Sequence, residues 1–327
     1  MITVEHLTKC YGDFMAVNDL SFEIEEGHVY GFLGPNGAGK STTMNIMTGC
    51  LSATAGHVRI DGHDIFDEPN QAKKLIGYLP EQPPLYMNET PEEYLRFVGE
   101  AKGLRGAELE RQIGAVIEQT RLQPVRSRCI SALSKGYKQR VGIAQALLGS
   151  PKVIILDEPT VGLDPLQIIE IRELIRQLGQ DHTVILSSHI LSEVQTMCEK
   201  ILIIAKGRLV AFDTPEHLEQ QLLSPSEITL TAEATAGEAR DILETVEHIA
   251  ELTVEEETQP QGVRVHLKTD GADIYAVSRA VFFAFAGQEK ALLEMTLKKA
   301  NLEDIFLELT EHSQTAGEPA ESEAEDA

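Results

Sequence analysis

The sequence predicts an α/β domain followed by a smaller α+β domain. Over about the first two-thirds of the 327 residues, short apolar runs alternate with segments of helical spacing. One strand-to-helix junction carries a glycine-rich loop, and a separate series of strands and helices begins near residue 226. Apolar strands that alternate with helices are typical of a parallel sheet covered on both faces. We therefore expect domains at residues 1–215 and 226–311, a linker at 216–225 and an acidic tail at 312–327.

Composition excludes several classes of protein. The net charge is −24, and residues 211–327 carry 26 acidic but only 7 basic side chains, which argues against a nucleic-acid partner. The four cysteines are widely spaced and form no C-x-x-C pair, as is typical of reduced packing residues in a cytosol. No stretch approaches the ~20 apolar residues that cross a bilayer, and the first ten residues do not resemble a signal peptide. We therefore expect a cytoplasmic protein.

The segment from Gly34 to Ser41 (GPNGAGKS) matches the phosphate-binding pattern G-x-x-x-x-G-K-[ST]. It lies between an apolar run and a helix-like run, which is the context that this pattern requires. Glycines let backbone N–H groups curl around phosphate oxygens at the positive end of a helix. Lys40 would contact the β- and γ-phosphates, and Ser41 would bind Mg²⁺. Kinases, GTPases, motor proteins and transport ATPases all remain open at this point. The predicted nucleotide-binding residues here are Gly34, Pro35, Asn36, Gly37, Ala38, Gly39, Lys40, Ser41 and Thr42.

A second strand ends in two adjacent carboxylates, Asp157 and Glu158. The apolar run 153–156 before them is typical of a parallel strand that is buried on both faces. Successive side chains of a strand point to opposite faces, but the backbone turns at the strand end, so both carboxylates can address one ligand. We expect Asp157 to hold Mg²⁺ through water and Glu158 to act as the general base that takes a proton from the attacking water.

From residue 226 the pattern changes to short strands and helices in the order βαββαβ, with an added helix. Strands are predicted at 228–231, 251–255, 262–267 and 291–296, and helices at 237–249, 273–286 and 302–309. This order is the split βαβ pattern of a ferredoxin-like domain. The residues from 312 onward have no core-forming pattern, and we expect them to be disordered.

Further segments resemble ABC ATPases. Leu133 to Arg140 (LSKGYKQR) is similar to the signature sequence of that family, and residues 159–165 (PTVGLDP) are similar to its D-loop. The resemblance runs in order over residues 1 to about 215. It implies an ABC ATPase domain with a β-rich N-terminal part and a helical subdomain, which the helical spacing places at about residues 91–148.

The resemblance implies roles for three more residues. Gln82 matches the Q-loop glutamine, which is a ligand of Mg²⁺ and water at the joint with the helical subdomain. His189 matches the switch histidine that contacts the γ-phosphate, and Tyr11 matches the aromatic residue that stacks on adenine. The resemblance thus implies ATP and Mg²⁺ as ligands, with Glu158, His189 and Gln82 as catalytic residues.

The signature departs from the common family pattern Leu-Ser-Gly-Gly-Gln at Lys135 and Tyr137. Ser134 and Gly136 are retained, and a hydroxyl and a backbone N–H at a helix N-terminus can reach the γ-phosphate of a facing subunit. Asp164 of the D-loop segment joins them as a predicted nucleotide-binding residue. Family members that look like exporter subunits carry a similar variant, so the resemblance implies an active ATPase and favours export.

The resemblance also implies partners. In this family the P-loop of one subunit and the signature of another close on ATP head to tail, so a second ATPase subunit is needed, either an identical copy or a paralogue. Separate membrane-spanning permease subunits would dock beside Gln82, with this chain at the inner face of the cell membrane. Two alternatives remain: a soluble, non-transport ABC ATPase that acts on a macromolecular partner, and a nucleotide-regulated switch, which the intact Glu158 and His189 disfavour.

Overall fold

The computed structural model describes residues 1–221, 227–258, 261–270 and 272–298. They divide into two compact units, one within residues 1–215 and the other from residue 216 onward. Residues 222–225 of the predicted linker, residue 226, the predicted helix at 302–309 and the predicted tail at 312–327 lie outside the described residues. In the described part of the chain, no helix combines the length and the apolar character needed to cross a bilayer.

Strands dominate the beginning of the first unit. In chain order its elements are β1 (Ile2–Tyr11), β2 (Phe14–Ile24), β3 (Val29–Leu33), α1 (Lys40–Met47), β4 (Ala55–Ile60), β5 (His63–Asp64), α2 (Pro69–Ala72) and β6 (Ile76–Leu79). An antiparallel sheet forms from four of these strands in the order β2-β1-β4-β5.

Three helices follow where the sequence predicts helical structure. They are α3 (Pro91–Ala101), α4 (Gly106–Gln119) and α5 (Lys135–Leu147), with short 3₁₀ turns at 123–125 and 130–132 before α5. A capping box fixes the start of α3, because the Thr90 hydroxyl accepts from the Glu93 N–H and the Glu93 carboxylate accepts from the Thr90 N–H. The three helices pack against one another.

The rest of the first unit completes a mainly parallel sheet. Its elements are β7 (Val153–Leu156), α6 (Pro165–Leu178), β8 (Thr183–Ser188), α7 (Leu191–Met197), β9 (Lys200–Ala205) and β10 (Arg208–Asp213). The strand order is β10-β9-β3-β8-β7-β6, with β10 antiparallel and the other strands parallel. Because parallel strands end at the same edge, the loops after β3, β6, β7 and β8 meet there.

One hydrophobic core joins the two sheets of the first unit. Ile2 and Val4 of β1 pack in the same buried cluster as Phe32 of β3 and Ile155 of β7. Burial of each such side chain contributes about 1.5–3 kcal/mol. This core therefore fixes the parallel sheet whose edge carries the polar loops.

In the described ranges, the second unit forms a four-stranded antiparallel sheet. Its elements are α8 (Pro215–Gln221), β11 (Glu227–Ala232), α9 (Ala236–Leu243), β12 (Ile249–Thr258), β13 (Gln261–Thr269), α10 (Ile274–Gly287) and β14 (Leu292–Lys298). The strand order is β12-β13-β11-β14.

The helix predicted at 237–249 is shorter in the structure, where α9 ends at Leu243. The β-branched residues Thr245 and Val246 lower helix propensity, and the Thr245 hydroxyl donates to the Ile242 carbonyl at 2.7 Å in a turn. The residues after this turn form the beginning of β12.

Alternate strand residues build the core of the second unit. Ile228 and Leu230 of β11 and Val265 of β13 form one buried cluster with Leu243 of α9 and Phe285 of α10. Because alternate residues of a strand share a face, both helices cover the same face of the sheet.

Candidate active site

Loops at the carboxyl edge of the parallel sheet, together with the turn between β1 and β2, enclose a cleft of about 560 Å³. Nine of the site residues predicted from the sequence line this cleft. The predicted site residues that line this cleft are Tyr11, Asn36, Gly37, Gly39, Lys40, Ser41, Thr42, Glu158 and His189.

The loop between β3 and α1 adopts a conformation that favours glycine. Gly37 has a φ of 80° and Gly39 a φ of 103°, values at which a side chain is strained. A Cβ atom at Gly39 would also lie 2.5 Å from the Ala16 carbonyl oxygen. The backbone therefore curls tightly, and α1 begins at the next residue with its N-terminus at the cleft, which is an arrangement that binds phosphate.

Lys40 lies inside this loop with a side chain only 6% exposed. Its Nζ donates to the carbonyl oxygens of Gly34 at 2.7 Å and Pro35 at 3.3 Å, and lies 3.8 Å from Glu158 Oε1. Burial lowers the pKa of the Lys40 ammonium below its ordinary value, and the carboxylates of Glu158 and Asp157 oppose this shift. The loop thus presents a positive charge at the cleft in a fixed position.

Asp157 is buried directly behind Ser41. Its Oδ1 accepts from the Ser187 hydroxyl at 2.6 Å and from the Ser41 hydroxyl at 3.3 Å. Carboxylate and hydroxyl oxygens are ligands of the hard kind that Mg²⁺ takes, together with water and phosphate oxygens. The donor set of Asp157 and Ser41 therefore fits this ion.

The backbone changes direction at Glu158, so this residue does not continue the line of β7. Its φ is 48°, a left-handed value that costs about 1–3 kcal/mol for a non-glycine residue. The Glu158 N–H donates to the Ser187 hydroxyl at 2.8 Å, and Glu158 Oε2 lies 3.0 Å from His189 Nδ1. This turn explains how adjacent residues serve one site: Asp157 lies behind Ser41 while Glu158 lies in the cleft beside His189.

Two aromatic rings border the cleft near the end of β1. Tyr11 is half-exposed and Phe14 is more exposed, and the two residues pair across the turn between β1 and β2. Exposed rings can stack on a flat base. The family resemblance predicted Tyr11 alone, although the short turn between the two residues is a signal that could have indicated Phe14 as well.

The structure does not bring Gln82 to the cleft. Gln82 is exposed, whereas its neighbour Glu81 lines the cleft, and the Glu81 carboxylate acts electrostatically on the Lys40 ammonium. Both residues are polar and follow β6 in the same loop, so a sequence pattern alone could not distinguish which of them enters the site.

The signature residues lie at the start of α5, and they do not line the cleft that contains Lys40. Ser134 caps α5, since its hydroxyl accepts from the Tyr137 N–H at 3.4 Å. Ser134 and Gly136 line a second cleft of about 400 Å³. Asp164 caps α6 by accepting from the Gln167 N–H at 2.9 Å. None of Ser134, Gly136 and Asp164 lines the cleft that contains Lys40.

Lys135 extends from the signature toward the segment that resembles a D-loop. A Cβ atom at Gly162 would lie 2.1 Å from Lys135 Nζ, so this ammonium group rests against Gly162. The contact provides a structural account of Lys135, whose interactions the sequence left undefined.

The comparisons with known proteins identify the family. Residues 17–161 match the model of the family described as ABC transporter. The linearmycin resistance ATP-binding protein LnrL of Bacillus subtilis is 32% identical over 311 residues, which cover 95% of this chain and 98% of the relative. The chain belongs to the ABC transporter ATP-binding proteins. The prediction of an ABC ATPase domain is therefore confirmed.

Other members of the ABC family are similar over about two-thirds of the chain. The bacitracin transport ATP-binding protein BcrA of Bacillus licheniformis is 38% identical over 223 residues, covering 68% of this chain and 72% of the relative. The dimeric structure of the ATP-binding cassette MJ0796, in a post-hydrolysis state with ADP and Pi, matches with a TM-score of 0.60 and 27% identity, covering 65% of this chain and 98% of that chain.

These similarities define the enzyme class. The chain is the ATPase subunit of an ABC transporter, which binds ATP and couples its hydrolysis to transport. Among similar solved structures, MJ0796 is dimeric, and cbiO1 of Clostridium perfringens is part of the ABC transporter complex cbiONQ. The predicted ATPase activity is confirmed at this level.

Proposed function

We propose that this ABC ATPase powers export through separate membrane-spanning subunits at the inner face of the cell membrane. The observation that carries the proposal is the similarity along 95% of the chain, and hence over both units, to a protein named for linearmycin resistance. Similarity over 68% of the chain to a protein named for bacitracin transport supports a role in transport.

Nucleotide binding is assigned to the loop of residues 34–42. Its curled backbone and the N-terminus of α1 bind the phosphate oxygens, and Lys40 contributes a fixed positive charge. Tyr11 and Phe14 also line the cleft, and we assign their rings to contact with the adenine.

Ser41 and Asp157 are the residues assigned to Mg²⁺. This ion would supply positive charge that offsets the negative charge developing during phosphoryl transfer. We assign Glu81 to Mg²⁺ as a third residue beside Ser41 and Asp157, because Glu81 lines the cleft and Gln82 does not. A carboxylate at this position supplies the hard oxygen that a cation prefers.

Hydrolysis is assigned to Glu158. Its carboxylate lies in the cleft and takes a proton from the attacking water, a contribution worth about 10²–10⁴-fold in rate. His189 holds this carboxylate in place through Nδ1 at 3.0 Å and contacts the γ-phosphate. The Lys40 ammonium lies 3.8 Å from Glu158 Oε1, and His189 Nδ1 contacts Oε2 of the same carboxylate.

A second ATPase subunit completes the site. Ser134, Gly136 and Asp164 lie outside the Lys40 cleft of their own chain, so we assign them to the nucleotide of a facing subunit. This subunit is an identical copy or a paralogue. Formation of the dimer then depends on ATP, and hydrolysis releases it, which drives two states of the membrane partner.

A cytoplasmic segment of the membrane partner docks on an exposed aromatic group near the start of α3. Tyr86 and Phe97 have ring centroids 5.1 Å apart, and both side chains are about half-exposed, as is Met87. Exposed aromatic and methionine side chains are typical anchors of protein interfaces. This group follows the loop of Glu81, so docking there is linked by sequence to the nucleotide site.

For the second unit we propose a ferredoxin-like fold. The order βαββαβ, the antiparallel strand order β12-β13-β11-β14 and the position of both helices on one face support this assignment.

Affinity purification from detergent-solubilised membranes tests the proposed function. We expect the wild-type chain to recover a membrane-spanning subunit, and the complex to hydrolyse ATP in liposomes. The triple substitution Tyr86→Ser, Met87→Ser and Phe97→Ser should weaken this recovery, while substitution of the exposed Phe283 to Ser serves as a matched control. Recovery of the chain with ribosomes and without a membrane protein would contradict the proposal.

A further inference from the structure

One buried carboxylate of the first unit lies outside the nucleotide cleft. The Glu193 side chain, in the first turn of α7, is 4% exposed, yet Glu193 is not among the residues that line the cleft. An ionised carboxylate is unfavourable inside a protein unless it is both paired and hydrogen-bonded. The partners of Glu193 therefore indicate what its burial achieves.

Three elements supply these partners. The Thr160 hydroxyl donates to Glu193 Oε2 at 2.6 Å, and the Ser188 hydroxyl lies 3.5 Å from the same oxygen. On the other side of the carboxylate, Oε1 lies 3.3 Å from Arg172 Nη2 of α6. Thr160 and Ser188 are both buried, so water does not compete with the hydrogen bond from Thr160.

The two hydroxyl partners lie beside the proposed hydrolytic residues in the chain. Thr160 follows Glu158 by two residues in the loop after β7, and Ser188 immediately precedes His189 at the end of β8. Glu193 thus contacts both loops from behind, while Glu158 and His189 contact each other at the front. Arg172 supplies the positive charge that makes a carboxylate tolerable at this position.

We infer that Glu193 is a positioning residue, which holds the loops of Glu158 and His189 at the separation that hydrolysis requires. The inference rests on the roles proposed for Glu158 and His189. Its physical basis is the sensitivity of catalysis to distance, since a misplacement of about 1 Å can lower a rate by about 10²-fold. Nucleotide binding by the loop of residues 34–42 does not depend on this link.

A matched pair of substitutions at Thr160 tests the inference. Thr160→Val keeps the volume but removes the hydroxyl, which leaves one oxygen of Glu193 short of its strongest partner, whereas Thr160→Ser retains the hydroxyl. Loss of a hydrogen bond to a charged group changes an equilibrium or rate constant that depends on it by about 10–100-fold. In the complex with its membrane subunits, we expect Thr160→Val to lower kcat by about tenfold or more with the Kd for a fluorescent ATP analogue unchanged, and Thr160→Ser to retain the wild-type kcat.

Amide hydrogen exchange of the chain alone gives a readout that does not depend on activity. We expect residues 157–164 and 188–197 to exchange about tenfold faster or more in Thr160→Val, and at wild-type rates in Thr160→Ser and in the exposed control Ser192→Ala. The inference is overturned if exchange rises in one segment only or in neither, or if Thr160→Ser behaves like Thr160→Val. It is also overturned if Kd rises in step with the fall in kcat. If Glu158→Gln retains full turnover, the proposed catalytic roles fail, and the exchange data still decide whether Glu193 links the loops.

Discussion

The unit within residues 1–215 buries six charged side chains, whereas the described part of the unit from residue 216 onward contains no buried charged side chain. The six residues are Lys40, Asp64, Arg140, Asp157, Glu158 and Glu193. In the second unit the buried polar residues of the described ranges are Thr231, Thr269 and Ser278. Its ion pairs, such as that of Lys290 with Glu238 at 2.8 Å, lie at the surface.

The difference in buried charge indicates that the first unit carries the chemistry, whereas the described part of the second unit is built mainly by apolar packing. Buried charges are unfavourable unless they are paired, so a group of them marks a place where function has been favoured over stability. Four of the six lie in the nucleotide cleft or behind it, namely Lys40, Asp157, Glu158 and Glu193. The second unit depends instead on an apolar core between one sheet face and two helices. Substitutions in the two units should therefore have different consequences.

The largest expected effect is that of Glu158→Gln. Removal of the general base should lower the rate of ATP hydrolysis by about 10²–10⁴-fold, while nucleotide binding is retained because Lys40 and the loop are intact. Phosphate release by the complex with the membrane subunits measures this change. The control is Glu255→Gln, an exposed carboxylate of the second unit. Equal rates for Glu158→Gln and the wild type would remove Glu158 from the mechanism.

Phe285→Ala should lower the stability of the second unit. This side chain is fully buried, and replacement of such a phenylalanine by alanine costs about 3–5 kcal/mol of stability. Faster amide exchange in β11 and β13, with unchanged nucleotide affinity, would be the expected signature. Phe283→Ala on the same helix is the control, because Phe283 is 68% exposed and should cost no more than about 0.5 kcal/mol. A fall in nucleotide affinity in Phe285→Ala would contradict the separation of the two units.

Lys40→Met should weaken nucleotide binding. The substitution removes charge-assisted hydrogen bonds to phosphate, which are worth about 1.5–3 kcal/mol, or roughly 10–100-fold in Kd. Titration with a fluorescent ATP analogue measures the effect, and Lys74→Met, at an exposed lysine, should leave the Kd unchanged. A wild-type Kd in Lys40→Met would exclude Lys40 from phosphate binding.

The smallest effect concerns the surface pair of His248 and Asp270 in the second unit. His248 Nδ1 lies 3.0 Å from Asp270 Oδ2, and the hydrogen bond that the protonated ring donates to this carboxylate raises the pKa of His248. Because the folded pKa is above the ordinary value of 6.5, the stabilisation is fully present below pH 6.5 and is lost as the pH rises through the folded pKa. An NMR titration should find a pKa above 6.5 that returns to the ordinary value in Asp270→Asn. A His248 pKa at or below 6.5 in the wild type would contradict this prediction.

The helical spacing of apolar residues was not sufficient to predict where α9 ends. Helical spacing predicted a helix to residue 249, but the structure ends it at Leu243 and begins β12 at Ile249. Apolar residues in this stretch satisfy either pattern, and the long pairing of β12 with β13 decides between them. Register between strands is a long-range property, so a local pattern cannot determine it.

The sequence by itself determined the family, and it predicted the phosphate-binding loop and the role of the adjacent carboxylates Asp157 and Glu158. These features are contiguous in the chain, because a loop that curls around phosphate and a strand that ends in two carboxylates need their residues side by side. Only the tertiary structure decided that Glu81 rather than Gln82 lines the cleft, and that Glu193 contacts the loops on both sides of the hydrolytic pair. Those relations depend on which strand ends meet at one sheet edge and on the direction of each side chain there, and both are set by the packing of the whole unit.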